Sequence, residues 1–419
     1  MIFMKTANSQ QLYRQSRKVY PDTAENAGQA FRRMGVAPLF FRKGRGASLY
    51  DQDYNAFTDY DLCGGALILG HAHRNIVLAV KKTAEYGMPF GIATKSDLDL
   101  AQEILKAFPH MERICFRPSA GAAFQEALHL ARSFTGKPLA VILDVQDAEG
   151  SFSQGGLPPG DRIMGRDPQG ESQALAQREI ILSCGCIEQL EAALSSLKTQ
   201  LACLVVAPLL TGDRVGVMRE DDLKALRVLT KKYKCLLVVN EIDSGFRFHK
   251  GGLQERLGTH ADLTCLGKII GGGFPLGALG GRRDILSQEA GSGNHGTCGE
   301  ESGAHPIVMR AGLATLRLLH NDMYRAMEKR AADLADGLNG FFREEKIPAQ
   351  VWRAGSLLQL QFTRADSRIL YPELFQCLLK EKTLWPPDAR QPFSLCAMHR
   401  VSDCERLSFL LKKFFQKAS

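Results

Sequence analysis

Between residues 74 and 320 the chain alternates short apolar runs with amphipathic stretches of helical period, and this alternation constrains its fold most tightly. Helical periodicity over 74–86 and 97–107 precedes an extended piece at 113–116, and a helix over 122–133 leads to the apolar run 139–143. The pattern continues through 180–182, a helix over 187–197, the run 202–206, a helix over 220–233, and runs at 235–239, 263–266 and 276–279. A run such as ACLVV (202–206) has no polar alternation, so both faces of that strand must be buried. Strands of this kind separated by helices predict an α/β domain built on a mostly parallel sheet. The flanks read differently. A helix over 8–20 precedes short strands at 39–42, 48–51 and 57–60, whose intervening turn residues predict a small antiparallel sheet. Helices over 305–319 and 321–345 precede strands within 348–363, a helix over 371–382 and a last amphipathic helix over 402–417. A chain of 419 residues exceeds one small core. The expected division is a large domain over 74–320 and a smaller α+β domain shared by 1–73 and 321–419. Residues 144–176, rich in Gly, Pro and Asp, form a connection of the length usually reserved for a functional loop.

Composition narrows the function classes. The 53 basic and 45 acidic residues leave a net charge of +8 that is dispersed along the chain, so no nucleic-acid partner is expected. An anionic substrate or cofactor suits the same charge. No apolar run reaches the roughly 18 residues of a membrane span, and the N-terminus lacks the basic-then-apolar order of a secretory signal. No membrane partner is expected. The 11 cysteines are scattered, and Cys203, Cys235 and Cys265 lie inside apolar runs, the pattern of reduced thiols in a cytoplasmic protein. Cys184 and Cys186 form the one close pair but lack further ligands, and His71 and His73 stand two apart with a structural reading favoured over ligation, so no metal site is expected. Gly291–Gly296 fits G-x-G-x-x-G in letters, yet it does not join a strand to a helix as a dinucleotide site requires.

The chemistry concentrates in Leu237–Arg282, LVVNEIDSGFRFHKGGLQERLGTHADLTCLGKIIGGGFPLGALGGR. One strand ends in Asn240-Glu241, at the carboxyl edge where open α/β sheets bind ligands. Another ends in Gly267-Lys268, followed by a Gly-rich turn. A lysine so placed can be partly desolvated and made nucleophilic. A solvated lysine beside a loop fits the same spacing, and the spacing alone leaves both readings open.

This stretch resembles the class III aminotransferases, and within them the glutamate-1-semialdehyde 2,1-aminomutases. Their pattern runs DE-x-x-x-GFR and then DL-x-x-x-GK-x-x-GGG-x-P-x-GA-x-GG; this chain has NE-IDS-GFR and DL-TCL-GK-II-GGG-F-P-L-GA-L-GG. PLFFRKGRGASLYDQDYNAFTDYDLCGGALILGHAHRNI, LHLARSFTGK and RAGLATLRLL resemble further family segments, so the likeness spans nearly the whole chain. The resemblance implies the pyridoxal-phosphate (PLP) transferase fold of type I, a PLP cofactor, a small amino compound as substrate and a homodimer. It makes Lys268 the catalytic residue that forms a Schiff base with PLP and shuttles the proton. It also makes Ser119, Ala120 and Gly121 the phosphate loop, Asn240 the partner of the pyridine nitrogen, and Thr297 a phosphate contact.

Several positions depart from the family. Asn240 stands for the aspartate that keeps the pyridine nitrogen protonated, and a neutral amide cannot stabilise that charge comparably. The phosphate loop reads Ser119-Ala120-Gly121-Ala122-Ala123, without the family threonine. The stacking aromatic has no clear counterpart; Phe152 is the nearest candidate. Gln29 stands for the substrate-binding arginine, Cys63 or Gly64 for a pocket tryptophan, Ala207 for a glutamate, and Arg390 or Gln391 for the mutase glutamate. Glutamate-1-semialdehyde is therefore not the expected substrate. Glu241 and Arg247 are expected to form a structural ion pair. Two functional readings remain: amino-group transfer through Lys268 on another substrate, or a catalytically degenerate homologue that binds, scaffolds or regulates. Lighter PLP chemistry on a neutral ring is a third.

Overall fold

The computed structural model describes residues 5–20, 27–87, 90, 92–144, 179–183, 187–212, 214–287, 305–362 and 367–418. The chain divides into two units, one from 1–74, 211–215 and 321–419, the other from 75–210 and 216–320. In chain order the elements begin with α1 (Ala7–Ser16), α2 (Ala27–Arg33), β1 (Phe41–Arg45), β2 (Ser48–Asp51) and β3 (Ala56–Asp59). Next come α3 (Arg74–Ala84), α4 (Lys95–Ala107), β4 (Arg113–Arg117), α5 (Ala120–Thr135), β5 (Leu139–Asp144), β6 (Glu179–Ser183), α6 (Ile187–Leu197) and β7 (Leu201–Val206). They continue with β8 (Leu209–Leu210), β9 (Gly216–Val217), α7 (Glu220–Lys232), β10 (Leu236–Glu241), α8 (Gly252–Arg256), β11 (Leu263–Leu266), β12 (Gly277–Gly281) and α9 (Arg283–Leu286). The last are α10 (Pro306–Leu318), α11 (Asn321–Glu344), β13 (Ala349–Ala354), β14 (Leu357–Phe362), α12 (Ser367–Lys380), β15 (Thr383–Leu384), β16 (Phe393–Ser394) and α13 (Val401–Ala418).

The larger unit is organised by a seven-stranded sheet in the order β4-β12-β11-β10-β7-β5-β6. Strands β11, β10, β7, β5 and β6 pair in parallel, and β12 runs antiparallel to both its neighbours. All six residues of β7 are buried, as its unbroken apolar run predicts. Helix α5 packs Ala127, Leu128 and Ala131 against Val205, Val238, Leu263 and Leu279 of the sheet. Asn240 lies opposite Cys265 and Glu241 opposite Leu266, so β10 and β11 end together and deliver Asn240 and Lys268 to one edge.

In the other unit β1, β2 and β3 form an antiparallel ladder, which β15 extends in parallel on β3. β13, β14 and β16 make a second small sheet. The core joins Phe57 and Tyr60 to Leu338, Phe342, Leu374, Trp385, Phe393 and Leu411. The strands expected within 348–363 form a hairpin, turned at Gly355 with φ +57°. Two elements differ from the sequence reading for local reasons. Helix α12 begins at Ser367, which leaves Pro372 inside it without an N–H to give the preceding turn. Helix α5 starts at Ala120 instead of 122 because Ser119, in extended conformation, caps it.

Candidate active site

Lys268 leaves β11 in the left-handed region, φ 47°, and opens a single turn of 3-10 helix, Lys268–Gly271. A non-glycine residue seldom adopts that conformation, and where it does the surroundings hold it there. Its Nζ makes an ion pair with Asp243 in the turn that follows β10. The two side chains are 36% and 47% exposed, so the pair is open to solvent and to a ligand. The turn is closed by Gly245 N, which donates to Glu241 O at 2.8 Å.

The N-terminus of α5 lies directly against this edge. A Cβ built on Gly267 would stand 2.7 Å from the Ala120 Cβ and 3.2 Å from Ile242 Cγ2; one on Gly277 would stand 2.1 Å from the Ser119 carbonyl oxygen. Only glycine fits at either position, which explains the glycines flanking the lysine turn. Ser119 Oγ accepts from Ala122 N at 3.1 Å. Ala123 N is taken by Ser119 O, while Ala120 and Gly121 carry the first donors of the helix, which no preceding turn can satisfy. Ser119 and Gly121 are exposed and Ala120 is half-buried. Orphan amides at the positive end of a helix make a ready seat for phosphate. The structure thus gathers Ser119, Ala120, Gly121, Asn240 and Lys268 at one end of the sheet. Asp243 belongs with them and was missed in the sequence, where a carboxylate two residues beyond a strand gave no sign of facing a lysine 25 residues later.

Asn240 is half-buried, and its Oδ1 accepts from Ile242 N at 3.1 Å, leaving the Nδ2 amide as a donor. Glu241 is fully buried. Its carboxylate accepts from the Ser244 hydroxyl, from Leu253 N at 3.0 Å and from Gln254 N at 2.7 Å. Burial pushes its pKa up, outweighing those hydrogen bonds. The structural role expected for Glu241 holds, but with a hydroxyl and two α8 amides as partners instead of Arg247. A carboxylate reaching backbone amides has no sequence signature, whereas an acid and a base six residues apart suggest one falsely.

In the other unit, His71 Nε2 meets Asp59 Oδ2 at 2.7 Å while its backbone bridges Gly46, so His71 ties a turn together. Two of the segments that depart from the family pattern meet there: Gln391 Nε2 donates to Asp61 Oδ1 at 2.5 Å, and Gly64 N to Asp61 Oδ2 at 3.3 Å. Burial and then the neighbouring Asp59 push the Asp61 carboxyl up. A cavity of about 700 Å³ in this unit is lined by Arg33, Asp388, Arg390 and Gln391, among others. Ala207 directly follows β7 and is half-buried. Thr297, Phe152, residues 145–176, the Cys184/Cys186 pair, Gly291–Gly296 and the side chain of Gln29 lie outside the described residues.

The sequence model described as Aminotransferase class-III matches residues 31–142 and 168–385. A glutamate-1-semialdehyde 2,1-aminomutase from Thermodesulfovibrio yellowstonii is 32% identical over 431 residues, covering 99% of this chain and 100% of its own. An omega-transaminase from Sphaerobacter thermophilus superposes with TM-score 0.84 at 25% identity, over 98% of this chain and 97% of its own. A glutamate-1-semialdehyde-aminomutase from Pseudomonas aeruginosa PAO1 in complex with PMP superposes with TM-score 0.82 at 21% identity, over 98% and 94%. The fold is the type I PLP-transferase fold expected from the sequence, and the chain belongs to the class III aminotransferase family.

Proposed function

We propose that this protein transfers amino groups between small amino and carbonyl compounds, with Lys268 as its catalytic residue. The cofactor is pyridoxal 5′-phosphate, the cofactor of the class III family. The residues present fit it: a half-exposed primary amine, orphan amides on α5 for a phosphate, and an amide donor at Asn240. When bound, the cofactor supplies an electron sink for the carbanion formed at the substrate carbon. The single observation that carries this reading is the close approach of Gly267, the residue before Lys268, and of Gly277 to the α5 N-terminus.

In this reading the amides of Ala120 and Gly121 and the Ser119 hydroxyl hold the phosphate. Lys268 Nζ would hold the cofactor, and its amine would take the proton from the substrate Cα as a general base. Asp243 holds that ammonium group in place beforehand. Asn240 Nδ2 would donate a hydrogen bond to the ring nitrogen, a weaker electrostatic aid than a carboxylate. Retention of the lysine and its cradle supports the enzymatic reading over the degenerate one.

The substrate is an amino compound other than glutamate-1-semialdehyde. Gln29, Cys63 or Gly64, Ala207 and Arg390 or Gln391 replace the groups that the aminomutases use, and Asp61 binds Gln391 where those segments meet. Two chains assemble as a homodimer. Helix α3 has no buried residue despite its apolar face, and Leu78, Tyr86, Ile92 and Leu98 are 53–71% exposed on the same unit. The eight described cysteines are all free, which supports a reducing compartment such as the cytoplasm. No described helix is long and apolar enough to cross a membrane.

The test is the amino half-reaction. The cofactor-loaded protein is mixed with a panel of amino donors, glutamate-1-semialdehyde included, and the cofactor spectrum is followed in wild type and Lys268→Ala. Conversion by at least one other donor, dependent on Lys268, supports the proposal. Conversion by glutamate-1-semialdehyde alone would overturn the substrate reading, and no conversion by any donor would overturn amino transfer.

A further inference from the structure

Away from the lysine edge, two histidines and a glutamate converge on one point of the larger unit. His110 lies in the connection between α4 and β4, Glu255 on α8, and His260 in the loop from α8 to β11. One ligand atom from each lies within 4.8 Å of the others. His110 Nδ1 is 2.6 Å from Glu255 Oε1, and His260 Nε2 is 3.7 Å from Glu255 Oε2. The imidazoles are stacked, centroids 4.7 Å apart and planes 11° from parallel, so a nitrogen of each ring faces the same carboxylate.

We propose that His110, Glu255 and His260 bind one divalent metal ion of the zinc type, Zn²⁺, Co²⁺ or Ni²⁺. Two imidazole nitrogens and a carboxylate are a donor set suited to borderline cations, with a fourth position left for water. The outer partners needed to orient a ligand are also present. The other nitrogen of His110 lies 3.4 Å from Thr264 Oγ1, which in turn accepts from Gln254 Nε2 at 3.1 Å. Such a bond fixes the ring and leaves Nδ1 to the metal.

A plain histidine–carboxylate pair accounts for His110 and Glu255 but gives His260 no reason to face the same carboxylate. Ligands about 2.1 Å from a tetrahedral ion stand roughly 3.4 Å apart, so the 2.6 Å between His110 and Glu255 must open by about 0.8 Å and a separation of 4.8 Å must close by about 1.4 Å. His260 can supply that movement: it is 51% exposed, against 19% for Glu255 and 5% for His110. The exposed side is also the way in for the ion. Thr264 lies four residues before Lys268 along β11, about 13 Å at the rise of a strand. The ion would therefore tie α8 and the entry of β11 to the segment before β4, without touching the cofactor.

The test is a Co²⁺ titration of the chelator-treated, cofactor-loaded protein, read by visible ligand-field absorption and followed by Zn²⁺ competition. The expected result is one Co²⁺ per chain, displaced by Zn²⁺. His260→Ala and Glu255→Gln should each weaken binding about tenfold or more while the cofactor spectrum stays unchanged. Zn²⁺ should raise the melting temperature of wild type but not of His260→Ala. No ligand-field band at millimolar Co²⁺ overturns the proposal. So does equal affinity in His260→Ala, or an intense near-ultraviolet thiolate band showing that the ion sits on cysteine.

Discussion

Replacing Asp243 with Asn should speed the reaction of Lys268 with its cofactor. Asp243 holds the Lys268 side chain in an ion pair that must be broken before Nζ can reach and attack a carbonyl. The size of the effect follows from exposure. With side chains 36% and 47% exposed, the pair is solvent-screened and belongs with surface ion pairs, worth about 0.2–1 kcal/mol. At about 1.4 kcal/mol per tenfold, that range corresponds to a reaction roughly 1.4- to 5-fold faster in the variant, where no ion pair has to be broken first. Stopped-flow mixing of cofactor-free protein with PLP at pH 7.5 measures this directly through the rate at which the Lys268-dependent absorption grows. Raising the salt to about 1 M, where the Debye length is about 3 Å, should bring wild type toward the variant. The conservative amide keeps the side-chain shape, so the comparison isolates charge. A variant that reacts at the wild-type rate would show that the pair does not restrain Lys268. A slower variant would show that Asp243 serves as the base that removes the lysine proton, and either result refutes the reasoning.

Asn240→Asp should raise the rate of amino transfer at least about tenfold, since a carboxylate there restores charge at the ring nitrogen and its Oδ1 can still accept from Ile242 N. Steady-state kcat with the best donor checks this; no gain in a variant that holds the cofactor would clear Asn240 as the limiting substitution. Glu241→Ala strands the buried donors of Ser244, Leu253 and Gln254 and should destabilise the fold by about 3–5 kcal/mol. A loss below about 1 kcal/mol in urea unfolding would contradict that role. His399 is buried, stacked on Tyr60, and accepts from Cys396 N through Nδ1. Burial lowers its pKa from 6.5 to about 4, against the pull of Asp403 and Asp59 and with some help from Arg330. The unfolded chain therefore takes up this proton before the folded one does. The neutral His399 contributes its full stability above pH 6.5, and about 3 kcal/mol is lost as pH falls to about 4. His399→Asn, which keeps an acceptor, should remove that increment from the pH dependence of urea unfolding; parallel curves for the two proteins would refute it.

The lysine edge was legible because its glycines are forced by contacts: no other residue leaves room for Ala120 at Gly267 or for the Ser119 carbonyl at Gly277. Buried parallel strands likewise announce themselves, since β7 and the first four residues of β10 lack the polar alternate that a solvent-facing strand carries. What stayed hidden depends on turn geometry or on backbone donors. Asp243 faces Lys268 only because the turn after β10 folds back through Gly245, and Glu241 satisfies itself on amides that every residue possesses. Helix α5 begins two residues before the apolar periodicity does, because its first turn is set by the Ser119 cap, which leaves the amides of Ala120 and Gly121 as the orphan donors. His110 and Glu255 are 145 residues apart, and no local pattern connects them.

The central claim is that Lys268 carries PLP. Its most direct test is the near-ultraviolet and visible absorption of the purified protein with and without added PLP, in wild type and Lys268→Ala, before and after borohydride. The account predicts a visible band that appears in wild type only and is abolished by reduction, with the mass of PLP left fixed on the peptide containing Lys268. No such band under saturating PLP, or the same band in Lys268→Ala, would contradict it.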